Sequence, residues 1–305
     1  MSSLEETRFI LKKYNIKANK KLGQNFLIDD TVIEKIISSA EIEKNDLIIE
    51  IGPGLGTLTS KLLEKAGKVI AIELDERMVK ILTDRFKLYN NFELINEDVL
   101  KVDLKKIISE NAIAEGKAKI VANLPYYITT PIIMKLLEDK LNIASITVMV
   151  QKEVADRITA NPGDKLSGAI TYSVNYYAEA KEIVLVGKES FIPSPEVDSK
   201  VIKLQIRDFP PVNIEDEGVF FKVIRASFMQ RRKTLINGLT NSGLIKDKEK
   251  LLQIFKHMNL NAEIRGEKLT LEQFAELSNL IVKSIWKHTI LWYNIYVNIL
   301  INNIE

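Results

Sequence analysis

The first feature of this sequence that could do chemistry is a turn rich in glycine. Residues 50–56 read Glu-Ile-Gly-Pro-Gly-Leu-Gly and lie between a short apolar run and a helical pattern. Glycines there allow a tight turn and let a ligand approach the backbone closely, since no β-carbon is in the way. Ligands of α/β sheets bind at the carboxyl ends of the strands, so Gly52 and Gly54 are candidate binding residues. The alternative is a glycine-rich connection that binds nothing.

Two acidic residues follow the next two predicted strands. Glu73 ends the second strand, and Asp98 comes just after the third. A carboxylate at the first position can accept hydrogen bonds from both ribose hydroxyls, which holds for NAD and S-adenosylmethionine alike. Asp98 could accept a hydrogen bond from an adenine amino group. The glycine spacing departs from the Gly-x-Gly-x-x-Gly dinucleotide fingerprint, because Thr57 stands in the third glycine's place. Together these features favour a nucleoside cofactor.

Residues 123–126 follow the fourth predicted strand and read Asn-Leu-Pro-Tyr. They match the Asn/Asp-Pro-Pro-aromatic pattern of enzymes that methylate amino groups, with Leu124 in the first proline's place. The lone pair of an adenine N6 is delocalised into the ring, so this nitrogen attacks a methyl sulfonium poorly. The Asn123 side-chain oxygen and the Leu124 carbonyl could grip the two amino hydrogens and localise that lone pair. Pro125 stiffens the loop, and Tyr126 could stack on an extruded base. Such catalysis rests on positioning rather than on a strong base.

An aromatic residue and two basic clusters complete the candidates. Phe191 lies in a proline-braced loop and could stack on the second face of the same base, the alternative being a buried anchor of the loop. One basic cluster covers residues 8–21, and the other comprises Arg225, Arg231, Arg232 and Lys233, with Lys222 nearby. Both suit contact with phosphates, although charge runs also occur on solvated faces.

The elements that must position these residues alternate between short apolar strands and helices. The pattern predicts strands over residues 47–51, 69–72, 92–95, 120–122 and 146–150, and helices over 31–40, 57–65, 76–88 and 131–138. Either Asp29 or Asp30 could cap the first of these helices. The alternation predicts an α/β fold with a Rossmann-like, open and mainly parallel sheet and helices on both faces. Later strands over 183–186 and 201–206 suit an added antiparallel edge.

The pattern changes at Phe209-Pro210-Pro211, where proline disfavours helix in the residue before it. Helical patterns follow over residues 219–229, 235–239, 248–258 and 271–278. We therefore predict a first domain over residues 1–209 that carries the basic N-terminal arm and the nucleoside site. A small all-helical domain over 210–285 and a tail over 286–305 follow it. The tail is uncharged from 289 to 304 and rich in aromatic residues, and it suggests no role.

Composition excludes several classes of protein. The 305 residues include no cysteine, which removes disulfides, zinc–thiolate sites, iron–sulfur clusters and cysteine nucleophiles. The two histidines, His257 and His288, lack metal-ligand spacing, so neither a metal centre nor a Ser-His-Asp hydrolase is expected. A net charge of +2 says nothing about partners. There is no signal peptide and no apolar run long enough to span a membrane, so we expect a cytoplasmic protein.

Taken in order, six motifs resemble the KsgA (RsmA) family of ribosomal RNA adenine dimethyltransferases. The resemblance runs from about residue 8 to about residue 282. The motifs lie at residues 21–27, 50–56, 123–126, 151–155, 191–199 and 230–235. Six separate motifs in the right order and spacing make the resemblance specific.

The resemblance implies a definite reaction. Four methyls pass from S-adenosylmethionine to the N6 atoms of two adjacent adenosines near the 3′ end of 16S rRNA, in an immature 30S subunit. We expect a monomer that works without a membrane. The implied cofactor contacts are Asn25, Leu27, Gly52, Glu73, Asp98 and Asn123, and the glycine turn adds Gly54. The implied adenine pocket comprises Asn123, Leu124, Tyr126 and Phe191. The implied rRNA-docking surface is the helical domain with Arg231, Arg232 and Lys233.

Three other functions compete with this reading. An antibiotic-resistance methyltransferase acting on one adenosine of large-subunit rRNA resembles the chain through the same motifs. Leu124 and the long helical domain favour an enzyme that acts on small-subunit rRNA instead. A non-catalytic RNA-binding assembly factor would not need the intact Asn-Leu-Pro-Tyr motif and the cofactor acids. A dehydrogenase leaves that motif unexplained.

Overall fold

The computed structural model describes residues 1–19, 22–111, 117–230, 232–245 and 247–284. The chain divides into two compact units. The first comprises residues 1–159 and 177–208, and the second comprises residues 160–176 together with the chain from Phe209 onward. The second unit thus resumes beside the predicted boundary, but it also takes in residues 160–176, which the sequence assigned to the first domain.

A seven-stranded sheet forms the first unit. Its spatial order is β4-β3-β2-β5-β6-β9-β7. These strands are β2 (Leu47–Ile51), β3 (Lys68–Glu73), β4 (Phe92–Asn96), β5 (Ala118–Asn123), β6 (Ile143–Gln151), β7 (Ala178–Val186) and β9 (Ser199–Ile206). The strands from β4 to β6 pair in parallel, whereas β9 pairs antiparallel with both β6 and β7. The predicted Rossmann-like sheet with an antiparallel edge is therefore confirmed.

Helices of the first unit connect the strands. They are α1 (Ser3–Lys13), α2 (Asp30–Ser39), α3 (Thr57–Lys65), α4 (Glu76–Phe86), α5 (Leu104–Asn111), α6 (Thr129–Glu138) and α7 (Lys152–Ile158). Asp29 caps α2, because its side chain accepts hydrogen bonds from the N–H groups of Thr31 and Val32. This settles which of the two aspartates starts that helix. The sequence did not predict α5 or α7.

A small second sheet joins two distant parts of the first unit. Strand β1 (Phe26–Leu27) pairs antiparallel with β8 (Phe191–Ile192), so that Leu27 lies opposite Phe191. Beyond the pair, the Ile28 N–H donates to the Ser190 carbonyl at 2.9 Å. Phe26, Leu27 and Phe191 are all buried in the hydrophobic core of this unit. The segment before α2 is thereby fixed against the loop that precedes β9.

Helices make up the second unit. They are α8 (Ala169–Tyr177), α9 (Glu217–Met229), α10 (Leu235–Asn241) and α11 (Lys248–His257), and residues 271–284 are also helical. Tyr172 is fully buried there, and its ring packs edge-on against that of Phe274, with the ring centroids 4.8 Å apart. The Tyr172 hydroxyl donates to the Leu269 carbonyl at 2.6 Å. The ring centroids of Tyr176 and Phe220 are 5.3 Å apart. These aromatic contacts explain why residues 160–176 belong to this unit rather than to the sheet.

The described residues hold neither a membrane-spanning helix nor a cluster of metal ligands. No helix in the described part of the chain combines the length and apolar character needed to cross a membrane. Nor do the described residues contain a group of three or more His, Asp or Glu side chains that could hold a metal ion.

Candidate active site

A cavity opens at the carboxyl edge of the parallel strands in the first unit. It encloses about 1040 Å³ of space free of protein atoms, counting the solvent at its open mouth. Nine sequence-predicted site residues line it. They are Asn25, Leu27, Gly52, Gly54, Glu73, Asp98, Asn123, Leu124 and Tyr126. Residues from four strand ends and from the N-terminal segment thus meet around one space.

The glycine turn and Glu73 form one wall of the cavity. Gly52 and Gly54 both adopt the left-handed region, with φ of +67° and +58°, where other residues are strained. A β-carbon on Gly54 would lie 3.3 Å from the Phe26 ring, a tight contact that the ring would have to relieve by a small shift. The Gly54 N–H donates to a Glu73 carboxyl oxygen at 3.2 Å, and the Asp75 N–H donates to the other at 2.8 Å. Burial raises the pKa of Glu73, although these backbone donors oppose the effect.

Glu50 is a buried acid whose role the sequence did not predict. It is 1% exposed, lines the cavity, and its Oε2 has no hydrogen-bond partner among the described residues. Burial raises the pKa of Glu50 to about 8, and the negative charge of Glu73 adds to this effect. A buried carboxyl oxygen without a partner is costly in its charged form, so Glu50 is mainly protonated at neutral pH unless a cationic ligand lies nearby. Its signal in the sequence was a charged residue inside the apolar run Leu47–Ile51.

We expect Glu50→Gln to change how the stability of the ligand-free protein depends on pH. A raised pKa in the folded state stabilises the protein below the unfolded pKa, and this stability is lost as pH rises through about 8. The wild-type free energy of unfolding should therefore fall by a few kcal/mol relative to Glu50→Gln between about pH 5 and about pH 8.5. Urea denaturation at both values measures this, with exposed Glu64→Gln as control. Parallel pH profiles for wild type and Glu50→Gln would contradict it.

Residues 123–126 line the cavity beside the glycine turn and are held by hydrogen bonds to two other segments. The Asn123 side-chain Nδ2 donates to the Asn25 carbonyl at 3.1 Å, and the Leu124 N–H donates to the Met149 carbonyl of β6 at 3.1 Å. The Pro125 carbonyl accepts from the Thr129 hydroxyl at 3.1 Å, at the start of α6. The bond to Asn25 uses one of the two Nδ2 hydrogens and fixes which way the Asn123 amide faces. The Asn123 Oδ1 is the acceptor of this amide.

The segment around Asn25 is fixed by residues that the sequence analysis missed. The Gln24 side chain donates to Asp75 Oδ2 at 2.8 Å and accepts from the Asn19 N–H at 2.8 Å. Asp75 also caps α4 and pairs with Arg77. Burial alone would raise the pKa of Asp75, but the hydrogen bonds from Arg77 and Gln24 hold it below its ordinary value. Asn25 is thereby placed across the end of β5 without belonging to the main sheet.

Phe191 lies deeper than the other predicted pocket residues. Its side chain is 3% exposed and belongs to the hydrophobic core, and it is not among the residues that line the cavity. Its backbone pairs with Leu27 in the small sheet. The stacking of a base between Tyr126 and Phe191 stays a prediction. Phe191 anchors the segment that carries Asn25.

Asp98 and Tyr127 lie at the mouth of the cavity. Asp98 is partly exposed, and its Oδ1 accepts from the Leu100 N–H at 3.0 Å. Tyr127 follows the predicted Tyr126 and is 53% exposed. Burial raises the pKa of Tyr127, and the charge of Asp98 adds to this effect. The mouth thus combines an acid with an aromatic ring.

The predicted RNA-contacting residues belong to the second unit. Arg232 and Lys233 are exposed between α9 and α10, where the Lys233 N–H donates to the Gln230 carbonyl at 2.8 Å. Lys222 and Arg225 are exposed on α9. Arg231, which the sequence placed in this cluster, lies outside the described residues, as do residues 286–305 of the predicted tail.

Similar solved structures define the class of the fold. A dimethyladenosine transferase from Plasmodium falciparum matches with a TM-score of 0.67 and 29% identity, covering 83% of this chain and 95% of that one. The 23S rRNA methyltransferase ErmE matches with a TM-score of 0.63 and 24% identity, covering 84% and 99%. The fold of the chain is thus that of a Rossmann-like methyltransferase.

Sequence comparisons then give the family. A family model described as ribosomal RNA adenine dimethylase matches residues 15–283. Ribosomal RNA small subunit methyltransferase A of Clostridium acetobutylicum is 51% identical over 273 residues, 90% of this chain and 97% of that protein. The protein of the same name from Lachnoclostridium phytofermentans is 51% identical over 280 residues, covering 91% and 96%. The chain belongs to the ribosomal RNA adenine dimethylase family.

Proposed function

We propose that this protein transfers methyl groups from S-adenosylmethionine to the N6 atoms of two adjacent adenosines near the 3′ end of 16S rRNA. It dimethylates each adenosine while the 30S subunit matures, and it does so in the cytoplasm as a monomer. The small-subunit methyltransferases that it resembles at 51% identity support the choice of substrate. The observation that carries the proposal is the hydrogen bond from Asn123 to Asn25, because it fixes the orientation of an amide that lines the cavity and whose oxygen is an acceptor.

The cavity fits S-adenosylmethionine. Glu73 presents a buried carboxylate where ribose hydroxyls would lie, and Asp98 offers an acceptor for the adenine amino group. The unpartnered Glu50 oxygen suits a ligand that carries positive charge. Gly52 and Gly54 leave room for a ligand close to the backbone. When bound, this cofactor supplies an electrophilic methyl group.

The chain's own residues then act on the adenine. Asn123 Oδ1 and the Leu124 carbonyl accept hydrogen bonds from the N6 amino group and hold it. This grip localises the nitrogen lone pair, which would otherwise be delocalised into the ring. Tyr126, which is half-buried beside them, stacks on the base. The rate enhancement comes mainly from holding the reacting atoms in line, so no strong base is needed.

A methylation assay on two substrates tests the proposal. Purified protein is incubated with labelled S-adenosylmethionine and either unmethylated 30S subunits or protein-free 23S RNA. We expect dimethyladenosine in the 30S reaction alone, at two adjacent adenosines, as read by mass spectrometry of rRNA fragments. Methylation of one adenosine in 23S RNA would instead support the antibiotic-resistance type of enzyme. Absence of transfer to both would support a non-catalytic assembly factor.

The basic cluster of the second unit is proposed to contact rRNA phosphates through Arg231, Arg232 and Lys233. Each phosphate contact contributes roughly 0.7 to 0.9 to the log–log slope of affinity against salt. Changing Arg232 and Lys233 together to glutamine should therefore flatten the slope for 30S binding by up to about 1.8. Filter binding at several salt concentrations measures this. Lys248→Gln is the control, because this exposed lysine stands between Asp247 and Glu249. An unchanged slope in the double variant would exclude phosphate contact by these two residues.

A further inference from the structure

A buried serine lies in contact with the tyrosine of the Asn-Leu-Pro-Tyr motif. The Ser199 Oγ is 2.6 Å from the Tyr126 hydroxyl, and Ser199 is fully buried. Burial raises the pKa of Tyr126, whereas the bond to Ser199 opposes this effect, so the phenol stays protonated at neutral pH. The tyrosine ring is therefore held at its far end by a group that belongs to another element.

The topology of the sheet explains how this contact arises. The parallel strands end at the edge where the cavity opens, whereas the antiparallel β9 begins there. In the register, Asn123 of β5 lies opposite Met149 of β6, and Ser199 lies opposite Gln151, the last residue of β6. Ser199 thus lies two register positions beyond Asn123 in the direction of the cavity, where the turn that follows Asn123 brings Tyr126. If β9 ran parallel to β6, its first residue would lie at the other end of the strands, away from the cavity.

Hydrogen bonds and ion pairs fix the start of β9. The Lys152 N–H donates to the Asp198 carbonyl at 3.0 Å, and the Lys188 N–H donates to an Asp198 carboxyl oxygen at 3.2 Å. Lys200, the residue after Ser199, has a largely buried side chain, and its Nζ lies 2.8 Å from Asp156 Oδ1. The serine hydroxyl consequently sits on backbone that is bonded on both sides, so it is a rigid support for the ring.

We propose that Ser199 is a positioning residue that sets the orientation of the Tyr126 ring for stacking on the target adenine. A ring held in its stacking orientation keeps the stacked base aligned with the methyl donor, so the support acts on the step that follows binding of the 30S subunit. Ser199 touches neither base nor cofactor and acts only through Tyr126. This inference rests on the proposed function, because it requires Tyr126 to be the stacking residue.

A double-mutant cycle tests the inference. Ser199→Ala and Tyr126→Phe each remove the same hydrogen bond, so each should lower kcat on unmethylated 30S subunits by roughly 3- to 10-fold. The double variant should be no slower than the slower single variant, because the bond is lost only once. The KM for 30S subunits and the Kd of S-adenosylhomocysteine should stay within about twofold. Calorimetric binding of one S-adenosylhomocysteine per chain shows that each variant is folded and counts the active sites.

Two further variants and a structure complete the test. Ser190→Ala removes another buried hydroxyl, from the residue before β8, which donates to Asp29 Oδ2 at 2.9 Å. This variant should keep kcat within about twofold of the wild-type value. A crystal structure of Ser199→Ala should show the Tyr126 ring turned or in more than one rotamer. Effects that multiply in the double variant, or an unmoved ring, would overturn the positioning role.

If Tyr126→Ala is fully active, the stacking assigned under the proposed function is itself wrong. If Tyr126→Ala is inactive and Ser199→Ala is fully active, only the role of Ser199 is wrong.

Discussion

Replacing Asn123 with alanine should reduce methyl transfer to 30S subunits by roughly 10²- to 10³-fold, the range typical for loss of one preorganised polar group at a reacting centre. The reason is the loss of the Oδ1 acceptor, without which the N6 lone pair stays delocalised. The fold should survive, because the Leu124 backbone remains bonded to Met149 of β6. Single-turnover assays at saturating cofactor measure the effect on the chemical step.

Asn91→Ala is the matched control for this prediction. The Asn91 side chain also donates to backbone carbonyls, those of Leu63 and Ala66 at 3.2 Å, but it does not line the cavity. This variant should lose stability while its methyl-transfer rate per folded molecule is retained. Full activity of Asn123→Ala, or an equal loss of methyl-transfer rate in Asn91→Ala, would refute the proposed hydrogen bonding of N6 by Asn123.

Glu73→Gln should weaken cofactor binding by roughly 100-fold or more, because hydrogen bonds to a charged acceptor contribute about 1.5–3 kcal/mol each. The two Glu73 oxygens accept from the backbone of Gly54 and Asp75. Glutamine would turn an amino group toward one of these donors, so it disturbs the glycine turn as well as the ribose site. Isothermal titration with S-adenosylhomocysteine measures the Kd.

The control for Glu73 is Glu93→Gln. Glu93 is an exposed acid of the same sheet, pairs with Lys68 at 2.7 Å, and lies outside the cavity lining. Its substitution should leave the Kd of S-adenosylhomocysteine within about twofold. A Glu73→Gln variant that binds as tightly as wild type would remove Glu73 from the cofactor site.

Local sequence pattern predicted the central sheet because each parallel strand is a short apolar run followed by a helical period. The predicted helix over 57–65 matches α3, and the strand over 47–51 matches β2. The glycine turn, both acids and the Asn-Leu-Pro-Tyr motif all follow strand ends, so topology alone brings them together. These parts of the site could be predicted because their spacing along the chain is local.

The remaining parts depend on contacts between distant residues. Helix α8 (Ala169–Tyr177) is rich in aromatic and β-branched residues, which favour strands, and it is helical because Tyr172 and Tyr176 pack into the aromatic core of the second unit. The two-residue pairing of β1 with β8 leaves no periodic signal, so the sequence could offer the burial of Phe191 only as an alternative and could not predict its pairing with Leu27. The bond between Ser199 and Tyr126 likewise joins residues 73 positions apart.

The most direct test of the account is a crystal structure of the protein with a bisubstrate analogue, in which the N6 atom of an adenosine is tethered to the cofactor skeleton. We predict that N6 lies at hydrogen-bond distance, about 2.7–3.2 Å, from both Asn123 Oδ1 and the Leu124 carbonyl. The cofactor ribose should rest on Glu73. A complex that holds N6 away from residues 123–126, with its ribose elsewhere than on Glu73, would contradict the account.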